Sequence, residues 1–98
     1  MTTQTVHFYV LGRAQGVGYR VWTVRTARQL HLSGWVRNRI NGHVEILAQG
    51  SAQSIELFQN MCLTGPAWSR VRQLQVVTIP DTVLPPVQEG FFEQKPTV

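Results

Sequence analysis

The stretch WVRNRINGHVEILA, residues 35–48, predicts two neighbouring strands joined by a short turn. Asn41-Gly42 stands between two largely apolar runs, and this dipeptide is the strongest short signal for a two-residue hairpin turn of type I′. We therefore predict the second and third strands over Trp35–Ile40 and His43–Ala48, paired as a hairpin.

A helical pattern precedes this hairpin. Val24, Ala27 and Leu30 are spaced three residues apart, so they lie on one face of a helix predicted over Arg20–His31. Gly34 follows shortly afterwards and is interpreted as the signal that stops this helix.

A second helix follows the hairpin. We expect Gly50 to end the third strand, and either Ser51 or Ser54 to cap the N-terminus of the helix. Gly65-Pro66 is typical of a helix end. The residues expected to face the core from this helix are Ile55, Phe58 and Met61 or Cys62.

Two further strands flank these elements. Thr5–Leu11 alternates and is rich in β-branched and aromatic residues, which predicts the first strand, and Val71–Ile79 is predicted as the fourth. Asp81–Gly90 contains two adjacent prolines and is expected to be a loop. Phe91 and Phe92 are expected to begin a short edge strand.

The resulting element order is βαββαβ. This order is typical of an α+β, ferredoxin-like sandwich, in which an antiparallel sheet carries both helices on one face. The length predicts a single domain over residues 1–98, with its core at about residues 5–94 and a loose end at Lys95–Val98. Enzymes and RNA-binding modules both use this fold, so the fold alone does not decide the function.

The charge distribution favours an anionic ligand. Nine Lys and Arg oppose five Asp and Glu, and residues 1–44 contain no acidic side chain. This half of the chain should attract small phosphates, nucleic acid or an acidic partner. Apolar runs are too short for a membrane span, so no membrane partner is expected. Cys62 is the only cysteine, which excludes an internal disulfide and agrees with a cytoplasmic location.

A glycine-rich turn lies where the first strand passes into the first helix. Gly16 and Gly18 would let successive backbone N–H groups converge on an anion, and the helix N-terminus adds partial positive charge. Arg20 could bind the same anion from the first helical turn. The Walker and dinucleotide patterns do not fit, because the first needs a lysine followed by Ser or Thr and the second needs a third glycine. These residues alone leave a tight turn and an anion site equally open.

Two longer motifs resemble those of one family. GRAQGVGYR, residues 12–20, resembles the first signature of the acylphosphatase family, and GWVRN, residues 34–38, followed by NGHVE at residues 41–45, resembles the second. The resemblance spans about residues 5–80. It departs from the family pattern at Ala14, where valine is usual, at Tyr19, where phenylalanine is usual, and at Asn41, where aspartate is common.

This resemblance implies a function and a set of site residues. The activity would be hydrolysis of small acyl phosphates to a carboxylate and inorganic phosphate, by in-line attack of water without a metal or another cofactor. Inorganic phosphate and other small anions would compete with the acyl phosphate substrate, and the protein would be a monomer. Arg20 would anchor the phosphate, and Asn38 would position the attacking water. The implied phosphate-binding loop consists of Gln15, Gly16, Val17, Gly18, Tyr19 and Arg20.

Other interpretations compete with this one. RNA-recognition modules share the strand order, but they stack bases on aromatic residues of the third strand, and residues 43–48 contain none, so no nucleic acid is expected. A non-catalytic module of the same fold, either handling carbamoyl phosphate within a larger protein or binding a partner, remains an alternative. Without the resemblance, Asn38 could simply be a polar residue at a strand end.

Several other polar residues are expected to have no catalytic role. The three histidines, His7, His31 and His43, are too widely spaced for a metal site. Arg37 and Arg39 flank Asn38 and should point to the opposite face of the sheet, where we expect them to be solvated. A core position is expected for Cys62, as for Trp22 and Trp35.

Overall fold

The computed structural model describes residues 3–78 and 83–98, which form five strands and two helices. This arrangement confirms the predicted βαββαβ order, and a short fifth strand follows it. The elements are β1 (Thr3–Arg13), α1 (Tyr19–Gln29), β2 (Ser33–Asn38), β3 (Val44–Ser51), α2 (Ala52–Thr64), β4 (Arg70–Val76) and β5 (Phe92–Gln94).

One sheet contains all five strands, in the order β4-β1-β3-β2-β5. The pairs β1–β3, β1–β4 and β2–β3 are antiparallel, as predicted. The predicted edge strand after Phe91 is confirmed as β5, and it pairs with β2 in parallel, with Gly34 opposite Phe92. The sheet is therefore mixed at this edge.

Both helices pack on one face of the sheet, with α1 over β2 and β5, and α2 over β4, β1 and β3. Three even-numbered apolar residues, Phe8 and Val10 of β1 and Ile46 of β3, are fully buried beneath them. The predicted core face of α2 is confirmed, and Cys62 occupies it while Met61 is 39% exposed. The Ser51 Oγ caps α2 by accepting from Ser54 N at 3.1 Å.

The segment before β5 contacts the other face of the sheet. The Trp35 indole, fully buried, donates its Nε1–H to the carbonyl of Pro85 at 2.9 Å, and Gly90 N donates to the Ser33 hydroxyl at 2.8 Å. The central strands are consequently buried on both faces along most of their length. Ile79 and residues 80–82, which fall in the predicted fourth strand and the loop after it, lie outside the described residues.

The first helix ends differently from the prediction. His31 adopts a left-handed conformation with φ 59°, and Leu32 N donates to Ala27 O at 2.9 Å, which closes the helix by a Schellman-type bond. Gly34 does not stop the helix, since it lies inside β2. A Cβ atom at residue 34 would overlap the carbonyl oxygen of Leu47 on β3. Glycine is therefore needed at this position for β2 to lie this close to β3.

The turn between β2 and β3 is not the predicted type I′ turn. Arg39 N donates to His43 O at 2.8 Å and Gly42 N donates to Arg39 O at 3.0 Å, which encloses a three-residue loop at residues 40–42. Gly42 has φ 99°, but Asn41 does not have the positive φ that a type I′ turn needs at both central positions. The Asn41 Oδ1 instead accepts from His43 N at 3.0 Å and holds this wider turn.

Two smaller predictions about strand ends are also wrong. β3 continues through Gly50 and ends at Ser51. Residues 95–98 are not loose, because Lys95 N donates to Val36 O at 2.8 Å and Val98 N donates to Asn38 O at 3.2 Å. The tail thereby covers an edge of β2 that would otherwise present unpaired backbone groups.

Candidate active site

The loop between β1 and α1 lies at the same end of the sheet as the C-terminus of β2. Both β1 and β2 run antiparallel to β3, so their C-terminal ends meet there. This topology brings Asn38, the last residue of β2, close to the glycine-rich loop.

A small cavity of about 100 Å³, called here the loop cavity, lies between these two segments. Its size suits a small anion. Five of the residues implied by the family resemblance line this cavity. They come from three places in the chain: the glycine-rich loop, the start of α1 and the end of β2. The lining residues are Ala14, Gly16, Gly18, Tyr19, Arg20, Val21, Asn38 and Gln94.

The N-terminus of α1 faces this cavity without a capping side chain. Gly18 is the N-cap residue, with φ 79°, and makes no side-chain cap. The first intrahelical bond runs from Trp22 N to Gly18 O at 3.1 Å, so the N–H groups of residues 18–21 have no partner within the helix. Uncapped N–H groups at a helix N-terminus bind anions, and α1 carries no acidic residue in its first turn.

Arg20 supplies the positive charge at the cavity. Its side chain is half-buried, and no carboxylate of residues 3–78 or 83–98 forms an ion pair with it. A guanidinium that is not neutralised by the protein can make paired hydrogen bonds to two oxygens of a phosphate.

Asn38 contributes an acceptor that the described residues leave unused. Its side-chain Oδ1 is buried, and no donor in the described part of the chain reaches it. A buried amide oxygen without a donor is costly, by about 1–3 kcal/mol. Because this residue lines the loop cavity, a water molecule or a ligand hydroxyl placed there would satisfy it.

Gln15 links the loop to the hairpin. Its Nε2 donates to the carbonyl of Arg39 at 2.7 Å and to that of His43 at 2.8 Å. The side chain therefore points toward the β2–β3 turn and away from the lining of the loop cavity. Its position indicates that it fixes the loop relative to the strand that carries Asn38.

Two other members of the implied loop have side chains directed elsewhere. Tyr19 is fully buried and donates its hydroxyl to Cys62 O at 2.6 Å. Burial raises the pKa of this phenol far above its usual range, and burial also raises the pKa of the Cys62 thiol to about 12. Both groups are thus neutral core residues, as expected for Cys62. Val17 lines a neighbouring cavity.

A buried ion cluster lies behind Asn38, on the other side of β2 and β3. The Glu45 carboxylate, fully buried, contacts His7 Nε2 at 2.6 Å, Arg37 Nε at 2.7 Å and Arg39 Nη1 at 3.4 Å. The prediction that the two arginines are solvated is wrong. Residues 83–90 cover part of this face of the sheet, and a buried carboxylate on β3 pairs with both guanidinium groups.

The cluster sets the ionisation of its carboxylate. Burial alone would raise the pKa of Glu45, but the hydrogen bonds and charges of Arg37 and His7 outweigh it, so the pKa lies below its usual value. Arg37 also stacks over the Trp35 ring, with 4.7 Å from the guanidinium carbon to the ring centroid. The flanks of Asn38 are therefore fixed by charge pairing on the face opposite the loop cavity.

The structure adds one polar residue that the sequence did not identify. Gln94 of β5 lines the loop cavity beside Asn38. Nothing in its local sequence indicates a site, because it arrives there only through the parallel pairing of β5 with β2. Val21 and Ala14 likewise complete the lining without a motif that singles them out.

The described ranges contain no cluster of three or more His, Cys, Asp or Glu that could hold a metal ion. No helix in the part of the chain that the structure describes is long and apolar enough to cross a membrane.

Comparison with known proteins gives a consistent match. The family model of acylphosphatase matches residues 6–85. Acylphosphatase of Rhodospirillum rubrum is 43% identical over 95 residues, covering 97% of this chain and 99% of that protein. Acylphosphatase of Moorella thermoacetica is 43% identical over 76 residues, covering 78% of this chain and 82% of the relative. The crystal structure of acylphosphatase from Bacillus subtilis has a TM-score of 0.80 and 29% identity, covering 96% of this chain and 99% of that one.

Proposed function

Because this chain belongs to the acylphosphatase family, we propose that its loop cavity hydrolyses small acyl phosphates to a carboxylate and inorganic phosphate. The observation that carries the proposal is the buried Oδ1 of Asn38, for which no described residue supplies a donor, in a cavity that Arg20 and the start of α1 also line. An acceptor for water and donors for an anion therefore face the same small volume.

The substrate phosphoryl group would occupy the loop cavity. Backbone N–H groups at the start of α1 and the guanidinium of Arg20 would hold its non-bridging oxygens and offset the negative charge that they carry. Phosphoryl transfer needs little more from a protein than this positioning and charge stabilisation. The carboxylate that departs is already a good leaving group.

Asn38 would position the attacking water. Its Oδ1 accepts one O–H of the water, which directs a lone pair of the water oxygen at phosphorus. The new O–P bond forms as the P–O bond to the acyl group breaks, and that electron pair leaves with the carboxylate. One proton of the water stays on its oxygen, now bonded to phosphorus, and the other passes to a phosphate oxygen, so the products are a carboxylate and dihydrogen phosphate, which then equilibrates with solvent. No protein carboxylate is needed as a base.

The neighbouring contacts would hold this geometry in place. Gln15 ties the loop to the hairpin through two carbonyls, and Glu45 holds the arginines on either side of Asn38. Small displacements of catalytic groups are costly in rate, so these contacts are expected to affect turnover without touching the substrate.

Hydrolysis of benzoyl phosphate by the purified protein tests the proposal. Asn38→Ala should lower kcat by about 10²–10³-fold while inorganic phosphate still binds as a competitive inhibitor. Arg20→Lys should fail in both binding and turnover, because an ammonium group lacks the planar fork of arginine. Normal turnover by the Asn38→Ala protein would refute the assigned role.

Two variants of the same residue types, placed away from the loop cavity, show whether such a substitution lowers the rate wherever it is made. Asn60→Ala removes an exposed asparagine of α2, and Arg72→Lys changes an exposed arginine of β4. Both should keep the wild-type rate. EDTA should leave the rate unchanged, and strong inhibition by EDTA would contradict the metal-free reaction.

The RNA-binding alternative gains no support from the sheet. Residues 44–48 of β3 are buried on both faces, so this strand offers no open surface on which bases could stack. Absence of a gel shift with single-stranded RNA in moderate salt is the expected result. A monomeric, cytoplasmic enzyme remains our proposal, and sedimentation of the purified protein at about 11.1 kDa would support the first of these properties.

A further inference from the structure

A second cavity lies beside the loop cavity. It measures about 400 Å³ and is called here the Trp68 cavity, since it is lined by Arg13, Gly16, Val17, Trp68 and Arg70. Gly16 lines both cavities, so the two adjoin across the loop. A ligand held by its phosphate in the first could extend into the second.

Two arginines face each other at the Trp68 cavity. Arg13 and Arg70 are direct partners in the β1–β4 ladder, and both are exposed. Like charges directly opposite each other destabilise a strand pair. Neither forms an ion pair with a carboxylate of the described residues. An anion placed between them would relieve this repulsion and could bind both guanidinium groups.

Trp68 supplies a large apolar surface next to this pair. Its side chain is 76% exposed, although a tryptophan usually buries most of its ring. The turn that carries it is well fixed, because the buried Ser69 donates its hydroxyl to Pro66 O at 2.7 Å and its N–H to the same carbonyl at 3.0 Å. The ring is therefore offered from a rigid turn, and a planar group could stack on it.

The direction of the reaction points to this cavity. Asn38 and Gln94 belong to β2 and β5, which lie on one side of the central strand β3. Arg13 and Arg70 belong to β1 and β4, which lie on the other side of β3. In an in-line displacement the leaving group departs opposite the attacking water. With the water at Asn38, the acyl group leaves toward β1 and β4.

We propose that the Trp68 cavity binds the acyl group of the substrate and favours acyl phosphates whose acyl group is a planar ring bearing a second anionic group. Trp68 stacks on the ring, and Arg13 and Arg70 bind the second anion. This inference rests on the function proposed above, because it takes its direction from the water at Asn38.

A third cavity provides the competing location. It measures about 550 Å³ and lies along α1 and β5, where Val21 and Gln94 also line the loop cavity. Arg25 and Arg28 contribute positive charge there. An acyl group in this position would lie on the same side as Asn38, which in-line attack does not allow.

The test compares benzoyl phosphate with 4-carboxybenzoyl phosphate, which adds a second anion to the same ring. The wild-type protein should prefer the second substrate by about tenfold in kcat/KM. Arg70→Gln and Arg13→Gln should each bring this ratio close to one. The ratio should persist in Arg72→Gln and Arg25→Gln, which remove the same charge outside the Trp68 cavity.

Trp68→Ala tests the stacking surface separately. It should lower kcat/KM for benzoyl phosphate by about tenfold and for acetyl phosphate by much less, and Trp68→Phe should restore most of the loss. The side chains changed in these variants are exposed, and urea unfolding checks that each variant is folded.

The outcomes separate the two hypotheses. Turnover of benzoyl phosphate without any preference for the carboxylated ring overturns the acyl-group assignment and leaves the proposed function intact. Loss of the preference in Arg25→Gln but not in Arg70→Gln overturns the acyl-group assignment and places the acyl group in the third cavity, along α1 and β5. Absence of all hydrolysis overturns the proposed function and this inference with it.

Discussion

Replacing Glu45 by glutamine should destabilise the fold strongly, because the carboxylate is the only acidic member of the described ion cluster. It is fully buried and contacts His7 and Arg37 at 2.6 and 2.7 Å. Removing one partner of a buried ion pair costs about 3–5 kcal/mol, since the other charge stays buried. The buried Nη2 of Arg37 already has no hydrogen-bond acceptor among the described residues. Without the Glu45 carboxylate, the guanidinium would have no charged partner there to replace it.

This loss is large relative to the whole stability. A domain of this length has a free energy of unfolding of about 5–15 kcal/mol. At about 4–8 °C per kcal/mol, the Glu45→Gln protein should melt roughly 12–40 °C below the wild type. Urea unfolding followed by tryptophan fluorescence gives the free-energy difference directly, and Trp35 lies next to the cluster.

A matched control is available at the surface. Glu93 pairs with Lys95 at 3.0 Å, with side chains 40% and 31% exposed. Glu93→Gln removes the same charge but should cost less than about 1 kcal/mol, because exposed ion pairs contribute little. The difference between the two variants isolates the effect of burial.

The pH dependence gives a second measurement of the same cluster. The pKa of Glu45 in the folded protein lies below its ordinary value of 4.5, so the unfolded chain binds the proton more readily. The stability from this group is fully present above pH 4.5 and is lost as the pH falls through the lower folded pKa. The gap between wild type and Glu45→Gln should therefore close in acid. A cost below about 1 kcal/mol at pH 7, or a gap that widens in acid, would refute this account of the cluster.

Three further substitutions test individual contacts. Gln15→Ala should reduce kcat/KM by about tenfold with little loss of stability, since it frees the loop from the hairpin, and an unchanged rate for benzoyl phosphate would show that the tether is dispensable. Gly34→Ala should destabilise the protein by several kcal/mol, roughly the scale of an overpacked core, because the added Cβ overlaps the Leu47 carbonyl; a melting temperature within a degree of wild type would contradict this contact. Ser51→Ala should cost about 1 kcal/mol through loss of the α2 cap, and in urea unfolding Ser54→Ala, which keeps that cap, should cost clearly less.

Local patterns predicted most of the framework. Periodicity placed both helices and four strands close to their observed positions, and strand–helix alternation predicted the ferredoxin-like order. Two errors concern how the backbone closes a turn or a helix, which residue types alone do not specify. The Asn41 Oδ1 accepts from His43 N and widens the hairpin turn. The helix α1 ends at Gln29, ahead of the predicted His31, because Leu32 N donates to Ala27 O and His31 turns the chain in a left-handed conformation.

The candidate site also has one part that local sequence predicted and another that depends on strand pairing. The glycine-rich loop and Arg20 are adjacent in sequence, so a strand–turn–helix pattern was enough to propose an anion site there, and the family resemblance added Asn38. That Asn38 lies at the same cavity depends on β1 and β2 both pairing with β3, an arrangement that the predicted ferredoxin-like order implied and that no local pattern around Asn38 contains.

The sequence by itself determined the element order, the excess of positive charge in the first half and the loop that offers backbone N–H groups to an anion, because these depend on neighbours within a few residues. Only the tertiary structure decided that Arg37 and Arg39 pair with the buried Glu45, that Gln15 binds the hairpin, and that Gln94 joins the cavity. Each of these contacts joins segments that are distant along the chain or set by strand register. Their partners are chosen by packing, which a local pattern does not contain.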